Sequence, residues 1–360
     1  MSNTILVTGG IGYIGSHTVY ELYNLGYNVI IIDNLINSSH ISLENLKKLI
    51  KTDFNKEIKY YNIDLCDKHK IIEFAQNINF DNIKISGIIH FAALKNVGES
   101  TIHPFDYYDN NIKSLLNIVF LAKEINCYNF IFSSSCTVYP HGSKMPLKEV
   151  SSDMKPLAMA NNTTKFSTIV TGPNPYGNTK IICEQILHDI SKADTKWNIT
   201  ILRYFNPAGY HSCGLLGEVI VNYTTQQNLF MTILSSKKYN KTVNVFGSDY
   251  NTPDGTAIRD YIHVIDLANS HIKALEWAKN KCGLSVFNIG LGKAYSVKDI
   301  LNGFIKNGFN IDYILTDRRE GDSEMVYADN SKALNILGWK PKLNLEDMIK
   351  SSIDYYNKNA

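Results

Sequence analysis

Short, unbroken apolar runs punctuate the first two hundred residues. Thr4-Ile5-Leu6-Val7 runs into a glycine turn. The runs at 28–32 and 59–63 end at Asp33 and Asp64. Residues 87–91 end in Ala92-Ala93, and residues 129–132 end in three serines. A strand with one wet face alternates apolar and polar positions, whereas continuous runs suit strands covered on both faces, as in a parallel sheet. Helical patterns lie between the runs, the first over about 13–25. Over 110–126, Ile112, Leu115, Leu116 and Val119 recur at three- and four-residue spacing, which makes one apolar face. A third helix is expected from near Pro175 to about Ala193, followed by a strand at 199–202. Strand, helix, strand in repetition predicts an α/β protein with a doubly wound parallel sheet of Rossmann type.

The pattern loosens after Glu149. Residues 151–172 are polar without periodicity and read as a long loop. Beyond Pro207 the order is mixed and punctuated by Gly, Asn and Pro. The expected division is a main domain over 1–206 and a smaller mixed α/β domain over 207–257 and 291–360. Residues 258–290 return to the main domain, through a helix near 264–278 and a strand at 285–289.

Composition changes this picture little. Hydrophobic residues are 44% and charged residues 19%, and 36 basic against 34 acidic residues leave +2. That balance carries no electrostatic footprint for nucleic acid or an anionic membrane. The six cysteines form no C-x-x-C pair, so zinc and redox motifs are unsupported, no metal is expected, and reduced thiols are. No apolar run approaches the roughly 20 residues of a membrane span. A strand beginning by Thr4 leaves no space for a signal peptide, so a cytoplasmic protein is expected.

Candidate chemistry sits at the ends of the apolar runs. Gly9, Gly12 and Gly15 form G-x-x-G-x-x-G between a strand and a helix. Such a turn lets backbone approach a pyrophosphate and offers it the unpaired N–H groups of the helix start. Asp33 ends the next strand, 18 residues after Gly15, where a carboxylate can accept the ribose hydroxyls of adenosine and repel a 2′-phosphate. NAD is therefore expected rather than NADP. Asp64-Leu65 and the stretch from Phe91 to Lys95 fall at further strand ends, where a doubly wound sheet receives its ligand.

Tyr176 and Lys180 are four apart at a helix start and share one face. A free tyrosine titrates near ~10, too high for a base at neutral pH, but a lysine ammonium and a positive nicotinamide ring both favour phenolate. Ser135 ends the preceding strand, and its hydroxyl can relay a proton to Tyr176. Alone, Tyr-x-x-x-Lys fits any surface helix; the glycine turn and the serine give it meaning.

With these motifs the chain resembles the extended short-chain dehydrogenase/reductases and, within them, the UDP-glucose (UDP-galactose) 4-epimerase family. The resemblance runs from Thr8-Gly9-Gly10-Ile11-Gly12-Tyr13-Ile14-Gly15 through His90-Phe91-Ala92-Ala93-Leu94-Lys95 and Phe132-Ser133-Ser134-Ser135. It continues through Pro175-Tyr176-Gly177, Arg203-Tyr204-Phe205-Asn206-Pro207, Arg259-Asp260-Tyr261 and Arg318-Arg319-Glu320-Gly321-Asp322. It implies NAD held by Tyr13, Ile14, Asp33, Asn34, Asn37, Ser38, Asp64, Leu65, Phe91, Ala92, Ala93, Lys95, Asn110 and Phe205, together with Ser135, Tyr176 and Lys180. It implies that Tyr176 takes the proton of the sugar 4-hydroxyl. The UDP-sugar partner would meet Lys95, Ser135, Tyr176, Asn206, Asn228, Leu229, Phe246, Arg259, Arg319, Asp322 and Val326. A homodimer through the helices near 110–126 and 175–193 is also implied.

Three departures from the family pattern stand out. Residues 151–172 are longer than the usual connection. Asn228-Leu229 continues as Phe230-Met231-Thr232. Val326 stands where the family carries a bulky tyrosine or a small residue, which implies access for N-acetylated UDP-sugars. The related 4,6-dehydratases need an acidic pair after the catalytic Ser/Thr, where this chain has Cys136, Thr137 and Val138. A glutamate near that place, expected for decarboxylation of a UDP-glucuronate, is also missing, and a UDP-glucuronate 4-epimerase is a further alternative. A catalytically silent NAD-binding regulator is opposed by Ser135, Tyr176 and Lys180 standing together.

Overall fold

The computed structural model describes residues 3–140, 142–149, 174–218, 228–319 and 322–359; the expected loop at 151–172 lies outside them. In order, the first elements are β1 (Thr4–Thr8), α1 (Tyr13–Asn24), β2 (Asn28–Ile32), α2 (His40–Phe54), β3 (Lys59–Tyr61) and α3 (Lys68–Phe80). Then come β4 (Ile85–His90), α4 (Val97–Ile102), α5 (Pro104–Glu124), β5 (Asn129–Ser135), α6 (Pro175–Ala193) and β6 (Asn198–Tyr204). The rest are β7 (Asn206–Ala208), α7 (Leu229–Tyr239), β8 (Val243–Phe246), β9 (Ile258–His263), α8 (Val264–Ala278), β10 (Gly283–Ile289), β11 (Ala294–Ser296), α9 (Val297–Lys306), β12 (Tyr313–Thr316), β13 (Met325–Val326) and α10 (Leu345–Asn359).

Seven strands form one parallel sheet in the order β10-β6-β5-β4-β1-β2-β3. This is the doubly wound Rossmann-type fold, and the strand order reverses between β1 and β4. The continuous apolar runs are buried on both sides. Ile5, Val7, Ile31, Ile89 and Ile131 pack under α1, α2 and α8, while Leu6, Ile30, Ile32, Ile88, Phe130 and Phe132 pack under α3, α5 and α6. Each fully buried side chain of this size contributes roughly 1.5–3 kcal/mol.

Two boundaries differ from the sequence pattern. Helix α5 begins at Pro104, well over a turn before residue 110, because Pro104 and Asp106 make a good helix start. Its first turn escapes the periodicity because Phe105 faces outward at 77% exposure. Strand β9 does not join the main sheet. It pairs with β7, β11 and β13, so the crossing back begins at Val264, with α8 packed on β5 and β6 and β10 paired to β6.

The second lobe stands at the carboxyl edge of the main sheet. Its core joins Phe230, Ile233 and Leu234 of α7 to Ile300 and Phe304 of α9 and Met348 and Ile349 of α10. The buried Asp260 ties it together by accepting the amides of Leu291, Gly292 and Ala328 at 2.8, 3.0 and 3.1 Å. Among the described residues, no helix is long and apolar enough to cross a membrane.

Candidate active site

The turn after β1 is shaped by close contacts. Gly9 has φ +68°, and a Cβ there would meet the Ala92 amide nitrogen at 2.7 Å. At Gly15 a Cβ would lie 2.1 Å from the Gly9 carbonyl oxygen. Helix α1 therefore starts hard against the ends of β1 and β4. Its N-cap is Gly12, and no side chain caps it. Contrast α2, α3 and α6, which Ser39, Asp67 and Asn174 cap. The first N–H groups of α1 are left for an anionic ligand.

Asp33 is buried and fixes this turn. Oδ2 accepts the Ile11 amide at 3.0 Å, and Oδ1 accepts Leu35 N at 2.8 Å and Ser38 Oγ at 3.0 Å. An ionised carboxylate has about four acceptor sites, so one remains for a ribose hydroxyl. Asn37 donates to the Ala93 carbonyl at 3.2 Å, which joins the walls of one cleft.

That cleft opens at the switch point between β1 and β4. All the residues expected to hold the dinucleotide line it except Ser135 and Phe205. Phe205 is 3% exposed and packs on Leu147 and Ala328, with Cys136, Tyr139, Met145 and Val326 around them. It therefore belongs to a small core cluster and not to the lining of the cleft. Tyr13 of α1 is anchored by its hydroxyl, which donates to the Gly209 carbonyl. Lys95 reaches across to Glu218 at 2.9 Å.

Tyr176 and Lys180 line this cleft, and the Ser135 hydroxyl lies beside the Tyr176 phenol. Helix α6 can start beside the segment that follows Ser135 because residue 177 is glycine; a Cβ there would lie 2.7 Å from the Thr137 carbonyl oxygen. Asn174 accepts the Gly177 amide at 2.8 Å, and Pro175 occupies the first turn. Lys180 Nζ donates to the Ser133 carbonyl at 2.9 Å, and lies 4.8 Å from the Phe132 ring centre and 5.8 Å from that of Tyr176.

Burial dominates the electrostatics. It pushes the Tyr176 phenol well above its ordinary value; neighbouring Tyr204 adds to this and the Ser135 hydroxyl works against it. Burial pulls the Lys180 ammonium down to about 8, while Cys183 and Glu184 favour its charge. Without a bound cation the surroundings of Tyr176 thus favour the neutral phenol, and the positive nicotinamide ring expected beside it would work in the opposite direction, as would the ammonium of Lys180.

The residues expected to meet the UDP part gather on the second lobe. Val326 on β13 pairs with Arg259 on β9. Asp322 lies between the two arginines, 3.4 Å from Arg259 Nη2 and 3.1 Å from Arg319 Nε. Arg319 stacks over Phe246 at 4.7 Å. Asn206 lies on β7 opposite Tyr261 of β9. Asn228 donates to the Pro207 carbonyl at 2.6 Å and caps α7, whose first residue is Leu229.

Sequence reasoning passed over two residues. Tyr204 ends β6 and lines the cleft beside Tyr176. Asn111 bonds both backbone groups of Leu94, at 2.8 and 3.1 Å, and the Thr179 hydroxyl at 3.0 Å, so it ties the β4 exit to α5 and α6. Its signal was available: a buried polar position inside an apolar helix face.

The residues fit NAD. The uncapped helix start, the Gly9 and Gly15 approaches, the free acceptor site on Asp33 and the small Ala92 and Ala93 suit, in turn, a pyrophosphate, its close passage, a ribose and a flat ring. Fold and site together define an NAD-dependent enzyme of the short-chain dehydrogenase/reductase type.

The chain belongs to the NAD dependent epimerase/dehydratase family, whose sequence model matches residues 5–290. It is 43% identical to the UDP-glucose 4-epimerase of Haemophilus influenzae over 359 residues, covering 99% of this chain and 98% of that one. The crystal structure of UDP-glucose 4-epimerase from Bifidobacterium longum, in complex with NAD+ and UDP, superposes with a TM-score of 0.84 at 41% identity, covering 99% and 98% of the two chains. The UDP-Glc/GlcNAc 4-epimerase of Campylobacter jejuni superposes with a TM-score of 0.75 at 32% identity, covering 99% of this chain and all (100%) of that one.

Proposed function

We infer that this chain is a UDP-glucose 4-epimerase, which interconverts UDP-galactose and UDP-glucose by inverting C4 of the hexose. The observation that carries the reading is the Ser135–Tyr176–Lys180 group at the cleft, followed by Cys136, Thr137 and Val138 instead of the acidic pair that a dehydratase requires. NAD held between the Gly9–Gly15 turn, Asp33 and Ala92-Ala93 would supply a hydride acceptor for C4 and a positive ring that favours the Tyr176 phenolate. Tyr176 accepts and returns the proton of the 4-hydroxyl, with the Ser135 hydroxyl between them. Lys180 holds positive charge beside the phenol. Arg259 and Arg319 grip the diphosphate, since each guanidinium fork matches its oxygens. The sugar must present both faces at C4, so it has to be held less firmly than the diphosphate; the apolar wall of Val326 and Cys136 supplies few hydrogen bonds there.

Product analysis with purified protein tests this. UDP-galactose should give UDP-glucose, and the reverse. Loss of the 6-hydroxyl, or no reaction, would refute the assignment.

Three finer readings are ours. Val326 leaves space for an acetamido group, so UDP-N-acetylglucosamine and UDP-N-acetylgalactosamine are substrates as well; the Campylobacter relative's dual name supports this. The protein is a homodimer through α5 and α6. These helices pack side by side, and Phe105, Leu116 and Ile182 stay exposed on them at 77%, 48% and 36%. The protein works in the cytoplasm, in keeping with its six free cysteines.

A further inference from the structure

We propose that Glu184 is a positioning residue of this reaction, holding α6 in register on β5 and keeping Lys180 charged beside Tyr176; the proposal rests on the epimerase reading above.

Tyr176, Lys180 and Glu184 follow one another at four-residue spacing, so they share the face of α6 turned to β5. Lys180 Nζ donates to the Ser133 carbonyl at 2.9 Å. One turn later Glu184 Oε1 accepts the Ser134 hydroxyl at 2.5 Å. Successive turns of the helix are thus pinned to successive residues of the strand, and the next residue of that strand is Ser135. A slide of α6 along β5 would break both pins and part Tyr176 from Ser135.

The second observation is charge. Glu184 is 3% exposed and Lys180 is 4% exposed. Arg203 of β6 closes on the same carboxylate, with Nε 2.9 Å from Oε1 and 3.2 Å from Oε2. One buried carboxylate therefore pairs with the partly buried Arg203 and stands one helical turn from the buried Lys180. The other titratable groups around Lys180 are Tyr176 and Cys183 on α6, His90 on β4, and Tyr204 on β6. His271 of α8 bonds the Ser133 hydroxyl, and Tyr139 stacks on Arg203. Burial pushes Cys183 and Tyr139 up to about 12, and pulls His90 down to about 3 and His271 to about 4, so these stay neutral. Among the described residues, the anion facing the ammonium is Glu184. A buried ion pair is seldom the cheapest way to fill a core, because both charges lose water. Its placement one turn behind the base gives it a use that an apolar pair would not have.

The test is the pH profile of kcat for UDP-galactose in wild-type protein, Glu184→Gln, and the double variant Glu184→Gln with Arg203→Met. The glutamine keeps the shape and removes the charge; the double variant also removes the arginine that the glutamine leaves unpaired. We expect kcat of Glu184→Gln to fall about tenfold or more at neutral pH, with KM changed less than about threefold. Without the carboxylate Lys180 loses its proton more readily, so the alkaline limb moves to lower pH. Lys180 keeps its proton on the acidic limb with or without Glu184, so that limb should move little and the profile narrows from its alkaline side. The double variant should keep the narrowed profile, and it decides the matter if the single variant does not fold. A wild-type alkaline limb in either variant, or wild-type kcat recovered in the double variant, would overturn the proposal and leave the pair a packing element. Failure of the wild-type protein to convert UDP-galactose would instead strike the epimerase reading itself.

Discussion

The ammonium of Lys180 lies 5.8 Å from the centre of the Tyr176 ring, one helical turn away on the same face of α6. It is also tied to the Ser133 carbonyl, so its place relative to the phenol is set by the strand that ends in Ser135. Tyr176→Phe removes the proton-carrying oxygen and little else. We expect kcat to fall by about 10²–10⁴ while KM for UDP-galactose stays within about threefold. Initial rates of UDP-glucose formation check this, and full activity in Tyr176→Phe would exclude the mechanism.

Gly15→Ala should damage cofactor retention before anything else. The added Cβ falls 2.1 Å from the Gly9 carbonyl and 2.8 Å from Gly10 Cα, so the turn must open. Overpacking of this kind costs about 1–3 kcal/mol. The variant is expected to purify with less bound NAD and a lower melting temperature than wild type, and excess NAD should restore part of the latter.

Val326→Tyr tests the proposed breadth of substrate. A tyrosine on β13 beside Arg259 would fill the space assigned to the acetamido group. Turnover of UDP-N-acetylglucosamine should drop at least about tenfold, with UDP-galactose turnover changed less than about threefold. If wild-type protein does not act on UDP-N-acetylglucosamine, the breadth assigned to Val326 is wrong.

Arg319→Ala should separate binding from chemistry. The arginine is 57% exposed on its side chain and contacts Asp322 and Phe246, so the fold needs it little. Losing a diphosphate contact shared by ground and transition states raises KM and leaves kcat nearly unchanged. A steady-state comparison with a melting curve checks both halves; a large fall in kcat at unchanged KM would place Arg319 elsewhere in the cycle.

Acid should unfold the protein through its buried histidines. Burial pulls His17 and His90 down to about 3 and His263 and His271 down to about 4, all from 6.5. The unfolded chain then takes protons first as pH falls, so stability is full above about 6.5 and declines steadily towards pH 4. Asp260 opposes this, since burial raises it to about 7 against three amide donors. Burial also raises Glu21 and Asp266 and lowers His211, so among the described residues five histidines stand against three carboxylates, and the urea midpoint should fall between pH 6.5 and 4.5. A flat midpoint over that window would contradict the assignment.

Much of the fold could be read from the chain because its signals were local. The unbroken apolar runs marked β1, β2, β4, β5 and β6 because a strand buried on both faces needs no polar positions. The Asn-Pro start and four-residue spacing marked α6. What escaped reading depended on distant partners. The outward Phe105 hid the first turn of α5. The pairing of β9 with β7 is a matter of which edge lies nearest, and nothing in Ile258 to His263 declares it. The candidate site was similarly uneven. Residues at glycine turns and strand ends fell together in one cleft. Phe205 instead packs with Leu147 and Ala328, and the burial that raises the Tyr176 phenol comes from distant parts of the chain that its spacing to Lys180 does not reveal.

The placement of β10 bears on how the protein is made. Ser135, Tyr176 and Lys180 all leave the ribosome at least about a hundred residues before Gly283 does. Until then β6 is a bare sheet edge, and the apolar faces of β5 and β6 that α8 covers are exposed to water. A chain cut short between residues 207 and 282 would carry the whole proton-transfer group on an unfinished sheet. Such an edge invites pairing with another chain. Nonsense mutations in that stretch should therefore yield aggregates rather than a weak enzyme, although Ser135, Tyr176 and Lys180, the residues proposed to carry the proton, have all been translated.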